Sequence, residues 1–107
     1  MQNNSDPGGI SDGSVKLDSD IVLREPRMYR VILHNDHYTT MEFVVEVLME
    51  VFHKQPAEAT KIMLDVHKRG IGMCGVYTFD IASTKVAHVH HMAKQREFPL
   101  KCSLEEA

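Results

Sequence analysis

The sequence predicts an α+β fold: a small antiparallel three-stranded sheet packed against three helices, in the order β-α-α-β-α-β, behind a disordered N-terminal tail. Three observations predict it. Short apolar runs of strand length stand at 28–34, near 72–77 and near 100–104. Stretches with apolar residues at helical spacing lie between them, two before the second strand and one after it. Residues 1 to about 24 are rich in Ser, Asp, Asn and Gly and hold too little apolar surface to offset the entropy of ordering.

The elements follow in order. Met28 to His34 reads as a strand with Tyr29, Val31 and Leu33 on one face. After the polar elbow Asn35-Asp36-His37, Thr39 is the expected N-cap of a helix opening at Met41. Glu42 would complete a capping box, and Tyr38 and Phe43 a hydrophobic staple. Val44, Val47, Leu48, Val51 and Phe52 then recur at helical spacing, with Glu42, Glu46 and Glu50 on the opposite face. Pro56 suits the first position of a second helix with Ala59, Ile62, Met63 and Val66 inside. Lys68 and Arg69 complement its negative end, and Gly70 fits the left-handed position that stops it. A strand from about Gly72 to Tyr77 leads to Thr78, a cap for a third helix reaching about Lys94, with Ile81, Ala82, Val86, Val89 and Met92 inward. Phe98-Pro99 breaks it, and Leu100 to Leu104 reads as the last strand. Residues 1–25 are therefore read as an extension and 26–107 as one core domain.

The net charge of −3 leaves no basic patch of the kind that binds nucleic acid. No apolar run approaches the roughly 18 residues needed to cross a bilayer. The N-terminus lacks the apolar core of a secretory signal and is too acidic for a transit peptide. Two cysteines, Cys74 and Cys102, are too few for a disulfide framework and read as reduced, partly buried thiols of a cytoplasmic protein. No cofactor is expected, since there is no glycine-rich phosphate loop, and Gly70-x-Gly72 is explained by a helix stop and a turn.

The elbow at 35–37 places hydrogen-bond acceptors beside apolar groups, a corner suited to a ligand with one charged end and one apolar end. Met41 and Met63 are candidates for an adaptable apolar wall there. His67 lies four residues beyond Met63, on the same helical face. The seven histidines invite a metal reading, with His88 and His91 three apart on a helix, but no cysteine pair or carboxylate cluster accompanies them. Cys74 with a histidine would make a nucleophile pair, yet nothing local supplies an oxyanion hole or an orienting third group. The residues alone thus reach a small α+β binding module and no enzyme.

Four motifs carry a resemblance to a known family. MYRVILHNDHYTTMEFVVEVL, ATKIMLDVHKRG, CGVYTFDIASTKVAHV and FPLKCSLEEA resemble, in order and in register over residues 26–107, the signatures of ClpS. ClpS is the adaptor that delivers substrates to Clp-type AAA+ proteases. The resemblance implies a monomeric adaptor that binds a bulky hydrophobic N-terminal residue (Leu, Phe, Tyr or Trp) and hands the substrate to the N-terminal domain of a ClpA- or ClpC-like unfoldase. It implies that Asn35 and His67 hydrogen-bond the substrate's α-amino group, with Asp36 adding negative charge. It also implies that Thr39, Met41, Val44, Met63, Val66 and Leu100 line the side-chain pocket, with Met41 the gate against β-branched residues. Asp80, Thr84 and Lys85 match the surface that docks on the unfoldase, and the tail matches the extension the unfoldase engages.

Two positions depart from the family pattern. His37 stands where the family usually has a second Asp, and Thr40 where it has Pro. One carboxylate fewer weakens attraction for an ammonium group, so His37 is expected to modulate affinity or its pH dependence. Two other readings are compatible with the chain: a Clp-docking regulatory subunit that no longer reads N-termini, and a small metal-binding protein using His67, His88 and His91.

Overall fold

The computed structural model describes residues 25–107; the predicted disordered tail lies outside the described residues, apart from Glu25. The elements are β1 (Met28–His34), α1 (Met41–Glu50), α2 (Pro56–Arg69), β2 (Ile71–Thr78), α3 (Phe79–Gln95) and β3 (Lys101–Glu106). This is the predicted order and class. The three strands form one antiparallel sheet with β1 central, in the order β2-β1-β3.

The alternation of β1 decides its orientation. Val31 and Leu33 are fully buried in the main core, and Tyr29 packs against it from the same face. Ile32, on the other face, is 8% exposed and packs outside that cluster. Val31 pairs with Gly75 and Ile32 with Met73, so Cys74 is an extra residue that bulges β2. Cys74 and Cys102 are both buried in the core as free thiols. The helices bring Phe43, Val47, Leu48, Ala59, Ile62, Ala82 and Val89 onto the inner face of the sheet. Burial of each large side chain contributes about 1.5–3 kcal/mol.

Local signals place most helix ends, with corrections. The N-cap of α1 is Thr40, not Thr39: its hydroxyl accepts from the Phe43 N–H at 3.1 Å. Glu42 is thereby displaced from the capping-box position, and Tyr38 is 77% exposed, so neither box nor staple forms. Thr39 fails as a cap because its hydroxyl is drawn back to Asp36. In α2, Pro56 stands at the first turn and Gly70 closes the helix at φ 94, as expected. Thr78 holds the N-cap position of α3 with extended backbone but makes no side-chain cap bond. Ile81, expected inward, is 51% exposed, as is its neighbour Phe79 at 53%, so the start of α3 turns these side chains to solvent.

Two contacts carry the fold toward the site. A Cβ added at Gly72 would lie 2.6 Å from Val66 Cγ2 and 3.0 Å from the Ile62 carbonyl oxygen, so only glycine lets α2 lie this close to β2. At the far end, Arg96 donates to Glu46 at 2.7 Å and lies 5.2 Å from the Phe43 ring, holding α3 to α1.

Candidate functional site

The site grows from the elbow between β1 and α1. Asp36 is its organiser. One carboxylate oxygen accepts from the Tyr38 N–H at 2.8 Å and the Thr39 N–H at 2.7 Å, and the other accepts from the Thr39 hydroxyl at 2.7 Å. This is an Asx turn, in which a short acidic side chain satisfies backbone donors that the bend would otherwise leave free. Partial burial pushes the Asp36 pKa up, but the bonds from Thr39 and Tyr38, with nearby His37, outweigh it and hold the carboxyl below its ordinary value. Asp36, expected to add negative charge for a ligand's ammonium group, lines the cavity while its oxygens also brace the turn.

Asn35 is fixed by its backbone. Its N–H donates to the Gly70 carbonyl at 2.9 Å, where α2 ends. This single bond ties the end of β1 to the end of α2 and so brings Asn35 beside His67, which sits in the last turn of α2. The left-handed turn at Gly70 presents that carbonyl, so the helix-stop glycine serves the site as well as the helix.

The result is a cavity of about 110 Å³ between the elbow, α1 and α2. Asn35, Asp36, Thr39 and His67 form its polar side; Met41, Val44, Met63 and Val66 form its apolar wall. Val44 and Val66 are 5% and 3% exposed, whereas Met41 is 42% exposed, so an unbranched side chain that can take several rotamers stands at the mouth over a buried floor. The volume suits one side chain rather than a drug-sized ligand. Leu100 is not among the lining residues; it is buried in the core.

Two larger, shallower grooves run along α1: one is lined by Val45 and Met49 with Glu42, Glu46 and Glu50, and the other by Met41, Glu42 and Val45 with Met63 of α2, so the second adjoins the cavity. They carry more volume but no converging neutral acceptors, so the smaller cavity is the better candidate for reading a defined chemical group. The Met41, Val45, Met49 row was legible as apolar residues four apart, a signal the sequence reading passed over.

The remaining expected residues fall elsewhere. Asp80 and Thr84 are exposed on the first turns of α3, and the Thr84 hydroxyl donates to the Asp80 carbonyl at 2.9 Å. Lys85 is half-buried, and its ammonium donates to the Val51 carbonyl at 2.7 Å. His37 is exposed at the elbow. His88 and His91 are exposed on α3, and His90 accepts from the Cys102 N–H at 3.0 Å. Among the described residues, no three His, Cys, Asp or Glu side chains gather as a metal site. Cys74 is fully buried, and burial pushes its thiol pKa well above the ordinary value, so it offers no thiolate to a substrate. No described helix is long and apolar enough to cross a membrane.

Comparison with known proteins gives one consistent answer. Residues 24–103 match the family model described as ATP-dependent Clp protease adaptor protein ClpS. The chain is 60% identical over 106 residues to the ATP-dependent Clp protease adapter protein ClpS of Syntrophus aciditrophicus, covering 99% of each. It is 56% identical over 100 residues to the protein of that name from Nitratidesulfovibrio vulgaris, covering 94% of this chain and 98% of the relative. The solved structure of Agrobacterium tumefaciens ClpS2 bound to L-phenylalaninamide superposes with a TM-score of 0.75 at 35% identity, over 78% of this chain and all of that one.

Proposed function

This chain belongs to the ClpS family of Clp protease adaptors, which are not enzymes, and on that premise we propose that it captures proteins by a bulky hydrophobic N-terminal residue (Leu, Phe, Tyr or Trp). It then delivers them to a ClpA- or ClpC-like unfoldase. The observation that carries this reading is the convergence of Asn35 and His67 with Met41, Val44, Met63 and Val66 on one cavity sized for a single side chain. The ligand held by the Agrobacterium relative, an amino-acid amide with an aromatic side chain, has the same two-ended chemistry.

The physics of recognition follows from the two ends. A peptide's α-amino group has a pKa of about 7.7–8.0 and is largely protonated at neutral pH, presenting three donors. The Asn35 side-chain carbonyl and a neutral His67 ring nitrogen accept two of them. Burying a Leu or Phe side chain among Val44, Met63 and Val66 contributes about 1.5–3 kcal/mol. Acetylation removes the donors and leaves the acceptors unpaired, at about 1–3 kcal/mol each. Size alone discriminates weakly, about 1–3 kcal/mol per methylene, so rejection of β-branched residues falls to the shape of Met41 at the mouth. Docking on the unfoldase falls to the face of α3 bearing Asp80 and Thr84, with Lys85 beside them.

A second reading, an unfoldase-docking subunit that does not read N-termini, draws on His37 and on the Asp36 carboxylate being turned into the elbow. Fluorescence anisotropy separates the two. The test uses short peptides that start with free Leu, Phe, Trp, Tyr, Ile or Met, plus acetylated Phe. Micromolar or tighter binding of the bulky set, lost on acetylation and weak for Ile, supports capture. Absence of binding by every peptide leaves only docking.

A further inference from the structure

The C-terminus of α1 is completed from outside the helix. Its last turn contains no basic residue and ends at Glu50, an unfavourable charge at the negative end of the helix. The chain leaves through Val51, Phe52 and His53, the last in the left-handed region at φ 56, and the Lys54 N–H turns back to the Leu48 carbonyl at 3.1 Å. The missing cation comes from α3. Lys85, 34 residues away, donates to the Val51 carbonyl at 2.7 Å, with its ammonium 5.8 Å from the Phe52 ring centroid and 5.2 Å from that of Tyr77.

The place of this contact gives it consequence. The apolar wall of the cavity is split between the start of α1 (Met41, Val44) and the second half of α2 (Met63, Val66). The two helices are joined by the short stretch 51–55, so the cavity lies at the open end of a helix pair and Lys85 grips the closed end. Ten helical residues span about 15 Å, so a small change of angle at the grip becomes a larger displacement at Met41.

We propose that Lys85 is a positioning residue for the cavity: by holding Val51 and Phe52 it sets the separation of α1 and α2 where they face the ligand. The proposal rests on the reading of that cavity as the N-terminal-residue pocket. It gives the ammonium a role inside the domain, distinct from a contact with the unfoldase.

The test uses the full chain with Lys85→Met, which keeps the alkyl packing without the charge, and Lys85→Arg, which keeps the charge. A Phe-starting peptide is titrated at a temperature where circular dichroism finds all three proteins folded. Lys85→Met is expected to bind about three- to tenfold more weakly and Lys85→Arg within about twofold of the parent. Equal binding by Lys85→Met and the parent overturns the proposal, whether Tm falls (a purely structural lysine) or unfoldase docking is lost (a purely docking one). If the parent binds no peptide, the capture reading fails by itself. The methyl NMR signals of Met41 and Met63 in the free chain then decide: displacement in Lys85→Met alone supports the grip, and superimposable spectra overturn it.

Discussion

The side chains of Asn35 and His67 make no hydrogen bond among the described residues, and both are exposed. Their removal should therefore act on binding and hardly on folding. Asn35→Ala and His67→Ala should each weaken a Leu- or Phe-starting peptide by about 1–3 kcal/mol, roughly tenfold or more, in anisotropy titrations. Thermal melting should stay within about 0.5 kcal/mol of the parent. Asp36 behaves oppositely, since its bonds hold the elbow. Its folded-state pKa lies below the ordinary 3.8, so the folded protein holds that proton less tightly than the unfolded chain does. The stabilisation is present above about pH 4 and is lost as pH falls through the lowered value. Asp36→Asn should flatten that acid limb in a pH series of melting curves. His37 stands at the exposed elbow where a carboxylate would attract an ammonium group, so His37→Asp should tighten binding of a free-amine peptide. Equal affinities for parent and variant in anisotropy titrations would place the His37 side chain away from the ligand.

The elbow, α1 and α2 form the working unit, and single residues at their junctions set it. Thr40→Ala removes the α1 cap and should cost about 1 kcal/mol. Thr39→Ala should spare the helix and weaken binding instead, because the Thr39 hydroxyl braces Asp36. Comparing urea midpoints with peptide affinities for the two variants checks this reversal of roles. Gly72 controls how closely α2 approaches β2. Gly72→Ala drives a methyl into Val66 and the Ile62 carbonyl and should cost about 1–3 kcal/mol. Because Val66 also lines the cavity, peptide affinity should fall with stability, which calorimetry and anisotropy on the same sample would register.

Over the whole domain, one core joins the sheet to all three helices, and both thiols lie within it. Burial pushes the Cys102 pKa up from 9.0 to about 12, with Cys74 raised in the same direction. The folded state therefore keeps protons that the unfolded chain releases above about pH 9, and stability should decline as pH rises from there toward 12. At neutral pH a thiol reagent should label neither cysteine until denaturant unfolds the domain, with both becoming reactive in one step. Labelling of the native protein at a rate independent of stability would contradict that burial.

The sequence by itself determined the element order and most boundaries, because strand alternation, helical spacing, Pro56 and Gly70 are written in neighbouring residues. It also placed Asn35, Met41, Met63 and His67 as candidates, since a polar elbow beside apolar stripes is a local pattern. Local spacing misassigned Thr39 and Thr40, since two adjacent threonines satisfy the capping rule alike. Only the bond from Thr39 to Asp36 broke the tie. It oriented Ile81 inward by periodicity, but which side of the first turn of α3 is covered is set by its packing partners and is no property of the helix. The meeting of Asn35 with His67 depends on a bond across 35 residues to Gly70, and the engagement of Lys85 depends on a carbonyl 34 residues away. Tertiary structure alone decides such contacts, because packing sets which distant groups meet, and chain spacing carries no signal of it.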